Sequence, residues 1–472
     1  MTILDSYGYP LTLGQASALA PWTGTVHAFL SHGTRTPDLI AETLRLDPHF
    51  AMGHAAHGLF CMLLGRRELV DVARADWKSA DGARKAVGAS AREAAVVDAL
   101  ADWLSGYPSR AADRLDAALT AHPADPLLMK LVHAIRFVLG DAAGMHRSLE
   151  SVAHAVGADH PAYGYFLGCR AFALEEAGDY EMAERLGRQA VEHAPDDAWG
   201  LHAVAHVYDM TARADAGRQW LEANTAAFAH CNNFRFHVWW HLALMYLDKG
   251  DIARVLDLYD EEIRAERTDD YRDISNAASL LVRLEIEGAN VGGRWEELAR
   301  LSEGRVDDRC NIFADLHYLL ALTHGEDKTP AHSLIRRIAR ECGVKSRVHY
   351  VRGGKLAQLL NDARTAVTVN STAAQQVLWR GIPLKVFGDA VYAKPEFVST
   401  QPLPEFFALP SRPDNKAYKD YRRYLLETSQ LPGGFYSARG RRQLLRQVVD
   451  MMLAGDDPYD AFERGTAAPR QQ

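Results

Sequence analysis

Two pairs of histidines have a spacing that could do chemistry. His202 and His206 are four residues apart, as are His237 and His241. Four residues is just over one helical turn, so each pair would share one helix face. Two such pairs brought together could hold one ion, because imidazole nitrogen suits zinc, copper or nickel. A metal usually also draws a carboxylate or thiolate, and no His-Glu-x-x-His motif occurs. The same four rings could instead pack and hydrogen-bond between stacked helices beside Trp239 and Trp240, or line a groove for a peptide or small molecule. His54 and His57, three apart, repeat the theme on another expected helix. Spacing alone assigns no metal, and no cofactor is expected.

A second candidate is Asn370-Ser371-Thr372. It follows the β-branched run Val367-Thr368-Val369 and precedes a helix-forming stretch. Asn370 or Ser371 can cap a helix beginning near Thr372. Free N–H groups there, the helix dipole and two hydroxyls would suit an anion, and Ala373 and Ala374 would let a phosphate come close. A cap without a ligand fits the spacing equally well.

The elements that must position the histidines read as helical repeats. Ala171, Ala183, Ala190 and Pro195 lie at offsets of 12, 7 and 5, and Ala99, Ala111, Ala118 and Pro123 lie at the same offsets. This is a tetratricopeptide pattern: small residues let two helices approach closely, and proline stops the second helix before the next repeat. The stretches around LRLDPHFAMGHAAHGLFCMLLGRRE and HVWWHLALMYLDKGDIARVLDLYDEEI are looser copies. The phrases HPAYGYFLGCRAFALEEAGDYEMAERLGRQAVEHAPDDAWGLHAVAHVYDM, FHVWWHLALMYLDKGDIARVLDLYD and RDISNAASLLVRLEIEGANVGGRWEEL further resemble the tetratricopeptide-repeat protein 38 family, over about residues 1–325. That resemblance implies an α-helical repeat fold and no established chemistry.

The helical phrases stop near His324-Gly325-Glu326-Asp327-Lys328-Thr329-Pro330, where Gly, charge and Pro mark a boundary. A basic helix at SLIRRIARECG comes next, then expected strands at 347–351, 366–370 and 383–388, alternating with helices at 355–363 and 371–381. Alternation of this kind points to parallel βαβ units, whose ligands bind at the carboxyl ends of strands. The stretch from about Ala331 to Asp460 resembles the capsule polysaccharide biosynthesis and export family through Asn370-Ser371-Thr372, Gly381-Ile382-Pro383, Gly388, Tyr392, Thr428-Ser429-Gln430 and Gly433-Gly434-Phe435-Tyr436. The resemblance implies the C-terminal half of a two-domain GT-B Kdo transferase, with CMP-Kdo as donor and Asn370, Ser371 and Thr372 near its phosphate. The amino-terminal domain of such an enzyme, with its acceptor site and base, has no match here. The family's nucleotide-binding His-Pro pair is also missing upstream, so no catalytic residue can be named.

Charge obeys the same division. From Lys328 to Phe462 there are 21 Lys and Arg against 12 Asp and Glu, a balance of +9, while the remainder carries −17. The positive region fits an anionic donor, and nothing points to nucleic acid. Five scattered cysteines without a CxxC pair suggest reduced thiols in a cytoplasm. No apolar window long enough to span a membrane and no secretory signal is seen; contact with capsule machinery would be peripheral. The expected fold is therefore mostly α: a tetratricopeptide-like α-solenoid over 1–326, a smaller Rossmann-like α/β domain over 331–462, and a disordered tail at 463–472. The function expected first is helical-repeat binding or scaffolding alongside a truncated capsule-biosynthesis domain. The alternative is a capsule glycosyltransferase.

Overall fold

The computed structural model describes residues 3–344, 356–431, 438–453, 455 and 457–465. The chain divides into two compact units, 1–349 and 350–472. The first unit is a run of helix pairs. Around the histidines these are Tyr163–Glu176 with Tyr180–His193, Ala198–Met210 with Ala214–Ala223, and Phe234–Asp248 with Ile252–Leu258.

The turns inside several pairs share one chemistry. Gly140, Gly178 and Gly250 adopt positive φ, ending the first helix without a Cβ penalty. The aspartate after each glycine caps the second helix: Asp141 accepts from Gly144 N–H, Asp179 from Met182 N–H and Asp251 from Arg254 N–H. Gly-Asp thus closes three hairpins by the same hydrogen bonds.

The small residues of the repeat pattern sit where helices cross. Ala171, Ala183, Ala190, Ala99 and Ala111 are fully buried. Gly187 shows how close the crossing is. A Cβ there would fall 2.6 Å from Val204 Cγ2 and 2.9 Å from the Gly200 carbonyl oxygen. Larger side chains at these positions would push apart the helix that carries His202.

The amino-terminal segment is fastened by buried charge. Ile3–Leu4 pairs antiparallel with Pro10–Leu11. Arg92, buried on the helix Ala91–Leu104, donates to Asp5 at 2.9 Å and to Asp125, which is also buried. Asp5 accepts the N–H groups of Tyr7 and Tyr9 as well. Next to Arg92, Glu93 closes a capping box with Ser90 and accepts from the backbone and hydroxyl of Thr12.

The helix Thr329–Glu341, assigned by the sequence to the second region, packs within the first unit. Its Ala331 and Leu334 bury against Leu322 of the helix Ile312–His324, with Val306, Leu319 and Ile338 around them. Arg337 donates to Asp307 and to the Val306 carbonyl. The basic face expected of this helix is real, but part of its charge is spent on an ion pair with the turn before Ile312–His324.

The second unit holds the expected parallel strand–helix–strand arrangement, in shortened form. Ala366–Thr368 pairs with Leu384–Val386 in the register Ala366↔Leu384, and the helix Ala374–Trp379 connects them. The pairing runs on irregularly as Phe387 N–H donates to the Thr368 carbonyl and Gly388 N–H to that of Val369. The core beneath is Leu360, Val377, Leu378, Leu384, Tyr392, Phe397 and Tyr418. Of the helix expected over 355–363, the described residues hold one short turn, Leu356–Leu359. It closes where Asn361 N–H bonds the Gln358 carbonyl. The expected strand at 347–351, the Gly433–Tyr436 phrase and most of the 463–472 tail lie outside the described residues. Mostly helical repeats with a minor α/β part is what the sequence leads one to expect, and it is what the structure has.

Candidate functional site

The two histidine pairs converge. Asp197 caps the helix Ala198–Met210 by accepting from Gly200 N–H, which sets the helix face carrying His202 and His206. His237 and His241 stand 35 residues further on, one repeat later, on Phe234–Asp248. The Nε2 atoms of His206 and His202 are 2.9 Å apart, those of His202 and His241 3.1 Å, and those of His241 and His237 3.2 Å. One ligating atom from each ring can be chosen so that all four lie within 4.8 Å of one another. His202 and His241 are buried, while His206 and His237 are partly exposed.

The outer nitrogens face polar groups. His237 Nδ1 lies 2.8 Å from Asn276 Oδ1, His206 Nδ1 3.4 Å from Glu175 Oε2, and His241 Nδ1 3.6 Å from Asp209 Oδ2. Burial pushes the imidazolium forms of His202 and His241 well below their ordinary range, and neighbouring histidines add to this. Burial pushes His237 down to about 4 against the opposing hydrogen bond from Asn276. It raises Asp209 to about 6, with Asp248 adding to the rise. The sequence pattern misses Glu175, Asp209 and Asn276. One signal was available: Asn276 stands 35 residues after His241, as His241 does after His206.

Aromatic rings surround the cluster. Trp199 contacts Phe172 at 4.6 Å between centroids, Phe234 at 5.3 Å and His202 at 5.2 Å, and His237 stacks on Trp240 at 5.3 Å. Trp199 Nε1 donates to His133, and the buried Lys130 ammonium sits over the Trp199 ring. Trp240 is therefore beside the cluster as the sequence suggested. Trp239 turns away from it to meet Phe228 edge-on.

The His54–His57 pair forms a smaller centre. His57 Nδ1 lies 2.7 Å from Asp76 Oδ2, His54 Nδ1 3.7 Å from Asp76 Oδ1, and Cys61 Sγ 3.9 Å from His57 Nε2. The hydrogen bonds of His57 to Asp76 and then to Cys61 raise its pKa to about 10.

Asn370, Ser371 and Thr372 are exposed in the turn after the first strand of the second unit. Neither Asn370 nor Ser371 caps an α-helix. The regular helix starts at Ala374, with Ala373 in the cap position and no side-chain cap. Ser371 instead forms a tight local turn: its Oγ accepts from Ala373 N–H at 3.3 Å and its carbonyl from Ala374 N–H at 3.0 Å. The Tyr392 hydroxyl donates to that same carbonyl at 2.5 Å. The two small residues expected to open the first turn are used to form this bend.

Comparison with known proteins reaches both regions. Residues 208–436 match the family model described as capsule polysaccharide biosynthesis protein. The chain joins tetratricopeptide-like helical repeats to a segment similar to capsule polysaccharide biosynthesis proteins. This segment's match opens at Tyr208, inside the helical hairpins and well before Ala331. Over 103 residues the chain is 36% identical to the capsule polysaccharide export protein KpsS of Escherichia coli, covering 22% of this chain and 26% of that protein. Over 94 residues it is 37% identical to the capsule polysaccharide modification protein LipB of Neisseria meningitidis, covering 20% and 22%. The chain thus spans about a quarter of the length of the curated relatives it matches. Among solved structures, a tetratricopeptide repeat protein from Parabacteroides merdae aligns over 54% of this chain and 93% of its own, at 13% identity and a TM-score of 0.38. Among the described residues no helix is long and apolar enough to cross a membrane.

Proposed function

We propose that this chain is a helical-repeat binding protein of the tetratricopeptide-repeat 38 type, carrying a shortened capsule polysaccharide segment and working in the cytoplasm beside capsule machinery. The observation that carries this reading is the aromatic row across the first helices of successive pairs. Phe137, Phe172, Trp199 and Phe234 come from four such helices, and Trp199 touches the other three. Phe137 is 46% exposed at one end of the row. The other three rings are buried behind it, so Phe137 offers the apolar face on which a peptide or small organic ligand stacks. Titration of the full chain with an aromatic-rich peptide library, monitored by tryptophan emission, tests it. The expected result is a saturable change that Phe137→Ala abolishes; a library without one saturating member would end the reading.

A second reading is a capsule glycosyltransferase using CMP-Kdo. It is favoured by the parallel strand–helix–strand unit with Asn370, Ser371 and Thr372 exposed at the carboxyl end of its first strand, and by the identity to capsule proteins. Thermal unfolding with CMP or CMP-Kdo separates the two. Saturable stabilisation that Ser371→Ala weakens supports a donor site, and an unchanged melting temperature with both nucleotides rejects it.

A further inference from the structure

The four rings on two successive repeats ask for something at their centre. His237 Nδ1 faces Asn276 Oδ1, which only accepts, so this nitrogen carries the proton and Nε2 is left with a bare lone pair. The carboxylates beside His206 Nδ1 and His241 Nδ1 favour the same tautomer on those rings. One inward nitrogen is thus fixed as an acceptor and two more are favoured as acceptors, yet they and His202 Nε2 stand in a chain of 2.9, 3.1 and 3.2 Å contacts. Moving a proton onto the Nε2 of His206 or His241 would turn a bare Nδ1 toward a carboxylate.

We propose that His202, His206, His237 and His241 bind one divalent first-row transition-metal ion, zinc foremost, through their Nε2 atoms, with Glu175, Asp209 and Asn276 orienting the rings. A zinc–imidazole bond of about 2.0–2.1 Å in a tetrahedral site separates ligand nitrogens by about 3.3–3.4 Å. The three observed contacts need a small outward relaxation to reach that value, and the other three pairs of ring nitrogens must come to the same spacing. The ligand set is all nitrogen, which suits zinc, copper or nickel and not magnesium or calcium, whose preferred ligands are oxygens. Glu175 and Asp209 offset the charge of the ion and fix the rings that bind it, the arrangement by which outer carboxylates tune a histidine-bound metal. The ion would tie Ala198–Met210 to Phe234–Asp248 and place a Lewis-acidic centre beside Trp199 and Trp240, with the partly exposed edges of His206 and His237 as its access.

The test uses the untagged full chain, stripped with a chelator and titrated with Zn2+ alone, with Co2+ as a visible probe. The expected result is one ion per chain, a Co2+ spectrum of tetrahedral nitrogen coordination, and a raised melting temperature on Zn2+ addition. His206→Ala, at the partly exposed rim, should abolish the Co2+ signal while far-ultraviolet dichroism stays native. Asn276→Ala should weaken Zn2+ by about 10–100-fold while leaving the stoichiometry unchanged. Absence of stoichiometric binding by the wild-type chain, or undiminished affinity in His206→Ala and His237→Ala, would overturn the proposal. Equal binding of Mg2+ would do so as well.

Discussion

The histidine cluster and the Asn370–Thr372 turn are opposite kinds of site. The first lies within phrases that resemble the tetratricopeptide-repeat protein 38 family, a resemblance that implies no chemistry, yet its polar atoms are largely buried, mutually close and faced by Glu175, Asp209 and Asn276. The second carries the capsule-family phrase, yet its side chains are exposed, and the polar contacts of Ser371 are to its own turn and to Tyr392. Resemblance locates a segment of ancestry, whereas convergence of buried polar groups locates chemistry that the fold has been built to hold. In this chain resemblance covers both sites, and only convergence singles out the histidines.

The contrast can be broken or sharpened by substitution. The largest effect is expected where charge is buried. Asp125→Ala leaves Arg92 short of a partner in the interior, and removing one member of a buried pair costs about 3–5 kcal/mol. A urea midpoint that hardly moves would mean that burial counts for less in the helical unit than the contrast requires. Next comes Gly187→Leu, which forces a side chain against Val204 and Gly200 under the His202 helix. Overpacking of this kind costs about 1–3 kcal/mol, and calorimetry should show it as a lowered melting temperature of the full chain.

A pH effect of intermediate size is expected from His57. Its folded pKa, about 10, lies above the ordinary value of 6.5 because of Asp76 and then Cys61. The native state therefore binds the extra proton between these values. This contribution is complete below about pH 6.5 and is lost as pH rises through about 10. The stability gap between wild type and His57→Gln should narrow over that window; a gap that widens contradicts the assigned contacts. The smallest effect is expected at the exposed turn. Ser371→Ala removes a solvent-facing hydrogen bond and should change stability by less than about 0.5 kcal/mol. A larger loss in chemical denaturation would make the turn a structural element and remove the contrast.

Much of the helical region is legible in the sequence because its signals are local and repeated. Two sets of Ala and Pro at identical offsets announce the hairpins, and four-residue spacing announces the shared face of each histidine pair. Convergence of the pairs is not legible, since it depends on adjacent repeats stacking in register. The same limit hides Glu175, which reaches His206 from the preceding hairpin. In the second region the β-branched run correctly announces a strand and its parallel partner. The capping role of Asn370 or Ser371 fails because Ser371 bonds within its own turn, so that the helix begins only at Ala374. Charge groups the helix Thr329–Glu341 with the second region, but its apolar stripe of Ala331, Leu334 and Ile338 finds its partner in the helix Ile312–His324 of the first.

Each repeat contributes half of the histidine cluster, and this changes how the stack comes apart. Arrays of this type ordinarily melt by nearest-neighbour rules, with end repeats fraying first and little penalty for stopping anywhere. A polar knot spanning Ala198–Met210 and Phe234–Asp248 couples two neighbours beyond their apolar contact. Fraying from the carboxyl side should pause at this seam. Deleting either repeat alone should cost more than half of deleting both.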